Sequence, residues 1–335
     1  MNKFYLNSVK NTILVSKPST SIRLLLMVLF VCSFANATNY YSKSTGNLNT
    51  PATWGTNTDG SGTAPGNFTT AGNVFFIRNN TTPTVAANWA VSGLGSKIVL
   101  GDGVTGINFT VGSNYVVTAN MDILAQGTLT LTTTGTTAIT FGTLALSSTV
   151  NYAESGNQTV FVATYGNLTL SGSGTKAAAG NITVNNDFTL TAGTFRLNNA
   201  TSYSLTIMGN YLQTGGKFDF NSGTSGSSTM NLSGNLTNTS TSSSSLTTSG
   251  TGAPNGNIVF NGAGLRVLNI PTSGAADWVK YIVNVGSTVK MINNFTLSSA
   301  NLTSQYIYIG ELIVNGTIDC GIYQITQSGG IAGVA

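Results

Sequence analysis

Histidine is absent from this 335-residue sequence, and charged residues of both signs together make up only 7% of it. The missing imidazole removes the side chain that most often serves as a general base or a zinc ligand. Glycoside hydrolysis needs two carboxylates that face one groove. Asp102 and Asp122, 20 residues apart, could stack in that way, but Asp102 stands between two glycines, which is typical of a turn. The sequence therefore predicts no catalytic residue, no metal site and no cofactor.

Cysteine is also scarce, with Cys32 and Cys320 as the two examples. Cys32 lies in an apolar run, residues 24–34, which follows four basic residues and precedes a small-x-small pattern at residues 35–37. This order predicts a secretory signal peptide over residues 1–37. The run of 11 residues is shorter than the ~20 residues that a membrane helix needs. We therefore expect a secreted or outer-surface protein with no stable membrane span after cleavage, in which Cys320 has no intramolecular disulfide partner.

A charge excess of one sign is missing from the mature chain as well. The formal net charge of +4 comes from the leader, whose four charges are all basic, and nine basic residues face nine acidic ones after residue 37. A neutral surface lacks the attraction that drives binding to nucleic acid, so we expect no nucleic-acid partner. Four cations are spread singly, and we expect them at solvated ends of the repeats. They are Lys176, Arg196, Lys217 and Arg266.

Hydrophobic residues make up 41% of the chain and fall in short strand-like bursts that return every 20 to 25 residues. The bursts are centred on Leu129, Leu168, Phe188, Tyr211, Leu236, Ile258, Phe295 and Ile318. A fixed period of this size, without helical spacing, indicates one unit stacked on copies of itself. The sequence predicts an all-β fold, a right-handed parallel β-helix (β-solenoid) with coils about 4.8 Å apart. Equivalent apolar residues would stack inside, and Asn would form ladders at the turns.

Three regions depart from this rhythm. Residues 38–90 contain Trp54, Trp89 and a Gly-rich stretch, and we interpret them as an N-terminal capping region before β-solenoid repeats over residues 91–335. Residues 221–256 are rich in Ser, Thr and Gly, which predicts a flexible loop on one face. The sequence stops inside the repeat pattern, so we expect a truncated product or the front of a longer protein.

Several phrases resemble those of large secreted repeat proteins of Bacteroidota. They are Tyr40-Tyr41-Ser42-Lys43, Ala52-Thr53-Trp54, Thr149-Val150-Asn151-Tyr152, Gly166-Asn167-Leu168-Thr169-Leu170 and Leu312-Ile313-Val314-Asn315-Gly316. The resemblance covers nearly all of the mature chain. It implies a β-solenoid that is exported by the Sec machinery, often through type IX secretion, and that has an adhesin-like role.

A stack of similar coils offers a long surface and no ready-made pocket. The sequence therefore favours a non-enzymatic extracellular or cell-surface scaffold, an adhesin-like or stalk segment. The alternative is a polysaccharide-binding or glycan-active β-helix protein in which Trp54, Trp89 or Trp278 contacts sugar rings. A third hypothesis, an ice-binding face, needs Thr-x-Thr on many consecutive coils, and residues 129–132 are not repeated strictly enough. The expected partner is an extracellular polysaccharide or a cell-surface component.

Overall fold

A computed structural model describes residues 37–134, 138–198, 201–224, 226–242, 244–250, 255–270, 276–277, 279–297, 301–303, 306–308 and 311–327. Residues 1–36, nearly all of the predicted signal peptide, lie outside the described residues. The described residues contain β-strands, one short 3-10 helix at Pro51–Thr53 and no α-helix. The prediction of an all-β chain is confirmed.

The strands are short and follow one another through tight turns. In chain order they are β1 Asn39–Ser42, β2 Trp54–Gly55, β3 Val74–Ile77, β4 Trp89–Ala90, β5 Lys97–Leu100, β6 Ile107–Val111, β7 Val117–Ile123, β8 Gly127–Leu131, β9 Ala138–Leu144, β10 Thr149–Tyr152, β11 Gln158–Val160, β12 Thr164–Tyr165, β13 Asn167–Leu170, β14 Thr175–Ala178, β15 Ile182–Val184, β16 Phe188–Leu190, β17 Thr194–Arg196, β18 Ser204–Ile207, β19 Tyr211–Gln213, β20 Lys217–Asp219, β21 Ser227–Leu232, β22 Leu236–Asn238, β23 Leu246–Thr247, β24 Asn255–Phe260, β25 Gly264–Asn269, β26 Ala276–Asp277, β27 Val279–Val283, β28 Ser287–Met291, β29 Phe295–Leu297, β30 Asn301–Thr303, β31 Tyr306–Tyr308, β32 Glu311–Val314, β33 Thr317–Asp319 and β34 Ile325–Gln327.

Most strands belong to three long parallel sheets. Sheet I has ten strands in the order β6-β8-β10-β13-β16-β19-β22-β25-β28-β33. Sheet II has the order β11-β14-β17-β20-β23-β26, and sheet III has the order β12-β15-β18-β21-β24-β27-β32. The chain visits sheets III, I and II in turn, so β12, β13 and β14 form one coil and the next three strands form the following coil. The predicted parallel β-solenoid is confirmed, and its right-handed winding stays a prediction.

An interior column of sheet I shows the register between coils directly. Its members pair in parallel, coil by coil: Phe109, Leu129, Val150, Leu168, Phe188, Tyr211, Leu236, Leu268 and Met291. Each is at most 2% exposed, and five of them are predicted burst centres. Most steps lie within the predicted period. The step from Val150 to Leu168 is shorter, and the step from Leu236 to Leu268 is longer because long turns flank β23.

A polar ladder follows the corner at which strands of sheet I begin. The Oδ1 atom of Asp187 accepts the backbone N–H of Asn210 at 2.8 Å, and Asn210 Oδ1 accepts that of Asn235 at 3.0 Å. Asn235 Oδ1 in turn accepts the N–H of Val267 at 2.9 Å. Each side chain therefore bonds to the backbone of the next coil, and the predicted Asn ladder at the turns is confirmed.

The first strands form a further sheet, sheet IV, with the order β2-β1-β3-β5-β7-β4. β1 pairs in parallel with β3, and β3 pairs in parallel with β5, whereas β2 runs antiparallel to β1 at the edge. A two-residue edge strand leaves few backbone groups to which another chain could add. The boundary at residue 90 between cap and repeats stays a prediction.

The described part of the Ser/Thr-rich segment 221–256 is not the flexible loop that its composition predicts. It contains β21, β22 and β23, one strand in each of sheets III, I and II. Its apolar residues Met230, Leu232, Leu236 and Leu246 are fully buried. The prediction failed because sparse apolar residues alternating with Ser, Thr and Asn already give the period of two that buries one face of a strand.

Candidate binding site

Two of the three tryptophans proposed for glycan contact lie in the core. Trp54 is fully buried and donates its indole N–H to the Leu48 carbonyl at 2.8 Å. Trp89 is 2% exposed, and the two ring centroids are 5.8 Å apart. Phe68 packs edge-on against both rings. A sugar could reach either ring only by displacing core side chains, and Trp278 lies outside the described residues.

Asp102 and Asp122 are not paired with each other. Asp102 Oδ1 accepts the backbone N–H groups of Val104 and Thr105, which is a turn role, and these bonds lower the pKa of its carboxyl. Asp122 lies beside Val99 in the strand register and forms an ion pair of 2.6 Å with Lys97. The two carboxylates therefore have separate partners, one in a turn and one in an ion pair.

Lys176 is fully buried, which corrects the expectation that it lies at a solvated end of a coil. It points inward in β14, paired with Gln158 and Phe195 of the neighbouring coils. Its ammonium donates to the carbonyl oxygens of Glu154, Gly156 and Ser173. Burial lowers the pKa of the ammonium, and the Glu154 carboxylate opposes that shift. The hydrogen bonds link the turns of two coils, so the role of this cation is structural.

The outward face of sheet I carries neutral polar side chains in register. One column pairs coil by coil through Thr110, Thr130, Asn151, Thr169, Thr189, Leu212 and Thr237. Thr-x-Thr occurs on β8, at Thr128 and Thr130, whereas β6 and β10 each carry one Asn and one Thr at these positions. The exposed Leu212 interrupts the column. This column has a mixed composition, so the strict Thr array of the ice-binding hypothesis is not met.

Sheet II starts later in the chain than sheet I, and β11 is its first strand. Within the described residues β11 pairs only with β14. The Gln158 side chain joins β11 to the end of β8 and the segment that follows it, because Gln158 Nε2 donates to the carbonyl oxygens of Leu131 and Thr133, both at 3.0 Å. Among the described residues β11 is therefore an edge strand of sheet II.

Two buried tyrosines hold the chain that follows β11. Tyr152 Oη accepts the backbone N–H of Phe161 at 3.1 Å, and Tyr165 donates to the Phe161 carbonyl at 2.7 Å. The two hydroxyl oxygens are 3.0 Å apart. Burial raises the pKa of Tyr152 to about 12 and holds the pKa of Tyr165 well above its ordinary value. Both phenols are therefore neutral hydrogen-bonding supports at physiological pH.

A cleft of about 330 Å³ lies beside β11. Its lining combines hydroxyl and amide groups with apolar surface and one cation. It includes Thr134, Asn157, Thr159, Phe161, Ala177 and Arg196. This volume is at the lower end of the range for small-molecule sites, so the cleft suits about one or two sugar-sized rings.

Arg196 is held in place by a buried carboxylate. Its Nε atom lies 3.3 Å from Oδ2 of Asp219, which is only 2% exposed. Ser249 donates to Asp219 from its hydroxyl at 2.6 Å and from its backbone N–H at 3.1 Å. Arg196 and Asp219 pair across β17 and β20. Sequence reasoning missed this site, although two opposite charges one period apart were an available signal.

No family model, curated protein or solved structure matches this chain. In the part of the chain that the structure describes, no His, Cys, Asp and Glu side chains gather in groups of three or more that could hold a metal ion. None of the described helical segments is long and apolar enough to cross a membrane.

Proposed function

We propose that this chain is a non-enzymatic extracellular or cell-surface β-solenoid scaffold, an adhesin-like or stalk segment. The observation that carries the proposal is the ladder of sheet I, in which ten strands pair coil by coil. Nine spacings of about 4.8 Å give this sheet a height of about 43 Å. A continuous ladder of this kind suits a protein that holds a surface or a neighbouring domain at a fixed distance.

The distribution of charge supports a structural role. Three ion pairs in the described residues each join neighbouring coils: Lys97–Asp122, Arg196–Asp219 and Lys280–Glu311. The more exposed pairs, Lys97–Asp122 and Lys280–Glu311, contribute at most about 1 kcal/mol each. The charges are thus distributed along the stack, whereas hydrolytic sites bring carboxylates together around one groove.

Export and origin belong to the same proposal. The basic leader, the short apolar run and the small-x-small pattern favour Sec-dependent secretion of residues 38–335. The repeat phrases favour kinship with secreted Bacteroidota proteins, including those exported by type IX secretion. One of these phrases, residues 166–170, covers β13 of sheet I, where repeated residues fall in register.

Surface exposure can be tested by inserting an epitope tag into the exposed turn at Thr58 and Asp59. We expect antibody to label intact producing cells or their medium, and we expect no label outside the cell when residues 1–37 are deleted. A tag that becomes accessible only after lysis would contradict the proposal.

The scaffold role itself requires a gene deletion and a purified protein. We expect the deletion strain to attach less to its natural surface, and the restored gene to recover attachment. Residues 38–335 should leave a panel of acidic and neutral polysaccharides at their original chain length. Depolymerisation of any of them would overturn the non-enzymatic assignment.

Polysaccharide binding is a second candidate function. The observation that favours it is the cleft at Arg196, whose lining combines a fixed guanidinium with hydroxyl, amide and aromatic groups. The buried positions of Trp54 and Trp89 do not contribute to this candidate.

A further inference from the structure

We propose that the cleft beside β11 binds a carboxylate-bearing sugar, such as a uronate residue of an acidic polysaccharide. This inference deepens the polysaccharide-binding candidate and rests on it, while the scaffold proposal is independent of it. The lining residues on which the inference depends are Thr134, Asn157, Thr159, Phe161, Ala177 and Arg196.

The guanidinium of Arg196 is the chemical group that selects an anion. Its Nε atom is engaged by Asp219, and within the described residues no hydrogen bond uses its two terminal Nη atoms. Two adjacent N–H donors of a guanidinium match the two oxygens of a carboxylate. Because Ser249 fixes Asp219, the arginine is oriented before a ligand arrives, which lowers the entropy lost on binding.

The rest of the lining suits a sugar ring. Phe161 is half-buried and offers apolar surface beside Ala177. Thr159 and Asn157 are exposed on the same β11 segment, and hydroxyl and amide groups hydrogen-bond to sugar hydroxyls. The other nearby cation, Lys176, is committed to three backbone carbonyls. A single available cation fits a ligand with one negative charge at this position.

The position of β11 at the start of sheet II explains why the cleft occurs here. The strands inside sheet II have a neighbouring coil on both sides, for example β14 and β20 around β17. At β11 the Gln158 amide and the two tyrosines bond to backbone groups at and after the end of β8 and to those of Phe161. The edge of β11 is thus held by side chains, and Asn157 and Thr159 beside it are exposed to a small ligand.

The test is calorimetric titration of residues 38–335 with trigalacturonate, with its fully methyl-esterified form as the matched neutral probe. We expect saturable binding of the acid and at least about tenfold weaker binding of the ester, because the ester removes the charge that pairs with Arg196. Three results would overturn the inference. They are equal binding of both probes, no binding of the acid, and stronger competition by inorganic sulfate than by the sugar acid.

Three variants locate the site. Arg196→Gln should weaken trigalacturonate binding by about tenfold or more, whereas Lys217→Gln, an equal charge change on the exposed end of β20, should change it less than about twofold. Ala177→Phe should also weaken binding, because it fills the cleft without changing charge. Trigalacturonate binding that survives both Arg196→Gln and Ala177→Phe would place the ligand elsewhere and contradict the inference.

A conservative substitution serves as the control for effects on folding. Arg196→Gln leaves Asp219 without its cation, so Arg196→Lys is measured beside it, with the melting temperature of each variant. Lysine keeps the charge but lacks the planar pair of donors, and binding should fall at an unchanged melting temperature. Wild-type affinity in Arg196→Lys would contradict bidentate recognition. Cell attachment that persists in Arg196→Lys would leave the scaffold proposal intact, so the two proposals fail separately.

Discussion

The buried ammonium of Lys176 stabilises the turns of two adjacent coils through three backbone carbonyls. Lys176→Met keeps most of the apolar volume but leaves these carbonyl oxygens without their donor. Each unsatisfied buried acceptor costs about 1 kcal/mol or more, so we expect the free energy of unfolding to fall by about 3 kcal/mol. Urea denaturation measures this change.

The matched control is Lys217→Met, since the Lys217 side chain is exposed on β20. We expect that change to stay within about 0.5 kcal/mol. An equal effect of both substitutions would show that the three hydrogen bonds from Lys176 to backbone carbonyls do not stabilise the fold.

Tyrosine ionisation sets an alkaline limit to stability. Burial raises the pKa of Tyr152 to about 12 and raises those of Tyr165, Tyr211 and Tyr281 as well. An unfolded tyrosine ionises near pH 10, so the unfolded state loses phenolic protons first as the pH rises. The contribution of Tyr152 to stability is therefore fully present below about pH 10 and is lost as the pH rises through about 12.

A spectrophotometric titration with parallel circular dichroism tests this limit. We expect the buried tyrosines to ionise only together with loss of the strand signal, above the value near pH 10 at which an unfolded tyrosine ionises. Complete ionisation near pH 10 in a folded chain would contradict the burial of these phenols.

At the scale of elements, the corner ladder Asp187–Asn210–Asn235 holds sheet I in register. Asn210 Nδ2 donates to Asp187 Oδ1 at 3.1 Å. Asn210→Asp replaces this donor with a second carboxylate, so we expect a loss of about 1 to 3 kcal/mol at neutral pH. Below about pH 4 protonation should restore much of the loss relative to wild type.

Thermal unfolding at pH 7 and below pH 4 checks the ladder, with Asn185→Ala as the control. Asn185 is exposed beside the same corner, and its side chain forms no hydrogen bond within the described residues. A pH-independent effect of Asn210→Asp would contradict the role of the ladder.

Sequence patterns identified the elements best where each coil repeats the same short phrase. The buried column from Leu129 to Leu236 was predictable because an apolar residue recurs between Asn, Asp or Thr neighbours at nearly constant spacing. The cleft was not predictable, because it depends on where sheet II starts, and the pairing of β11 is decided between coils. Lys176 was misread for a related reason, since carbonyls of a different coil satisfy its charge.

At the scale of the molecule, the central claim is that successive coils place equivalent residues in vertical register. The outward column of sheet I provides the sites for a direct test, because its members lie on consecutive strands without contributing to the core. Thr110 and Thr237 are six strands apart, Thr130 and Thr237 are five apart, and Thr110 and Asn269 are seven apart.

Pulsed electron paramagnetic resonance between spin labels at these pairs, in a Cys320→Ser background, measures that register. With about 4.8 Å per coil, we expect separations of about 24 Å for the five-strand pair, 29 Å for the six-strand pair and 34 Å for the seven-strand pair. Label length shifts all three values alike and leaves the increment of about 5 Å unchanged. Distances that fail to grow with the number of coils would contradict the stacked solenoid and every role proposed for it.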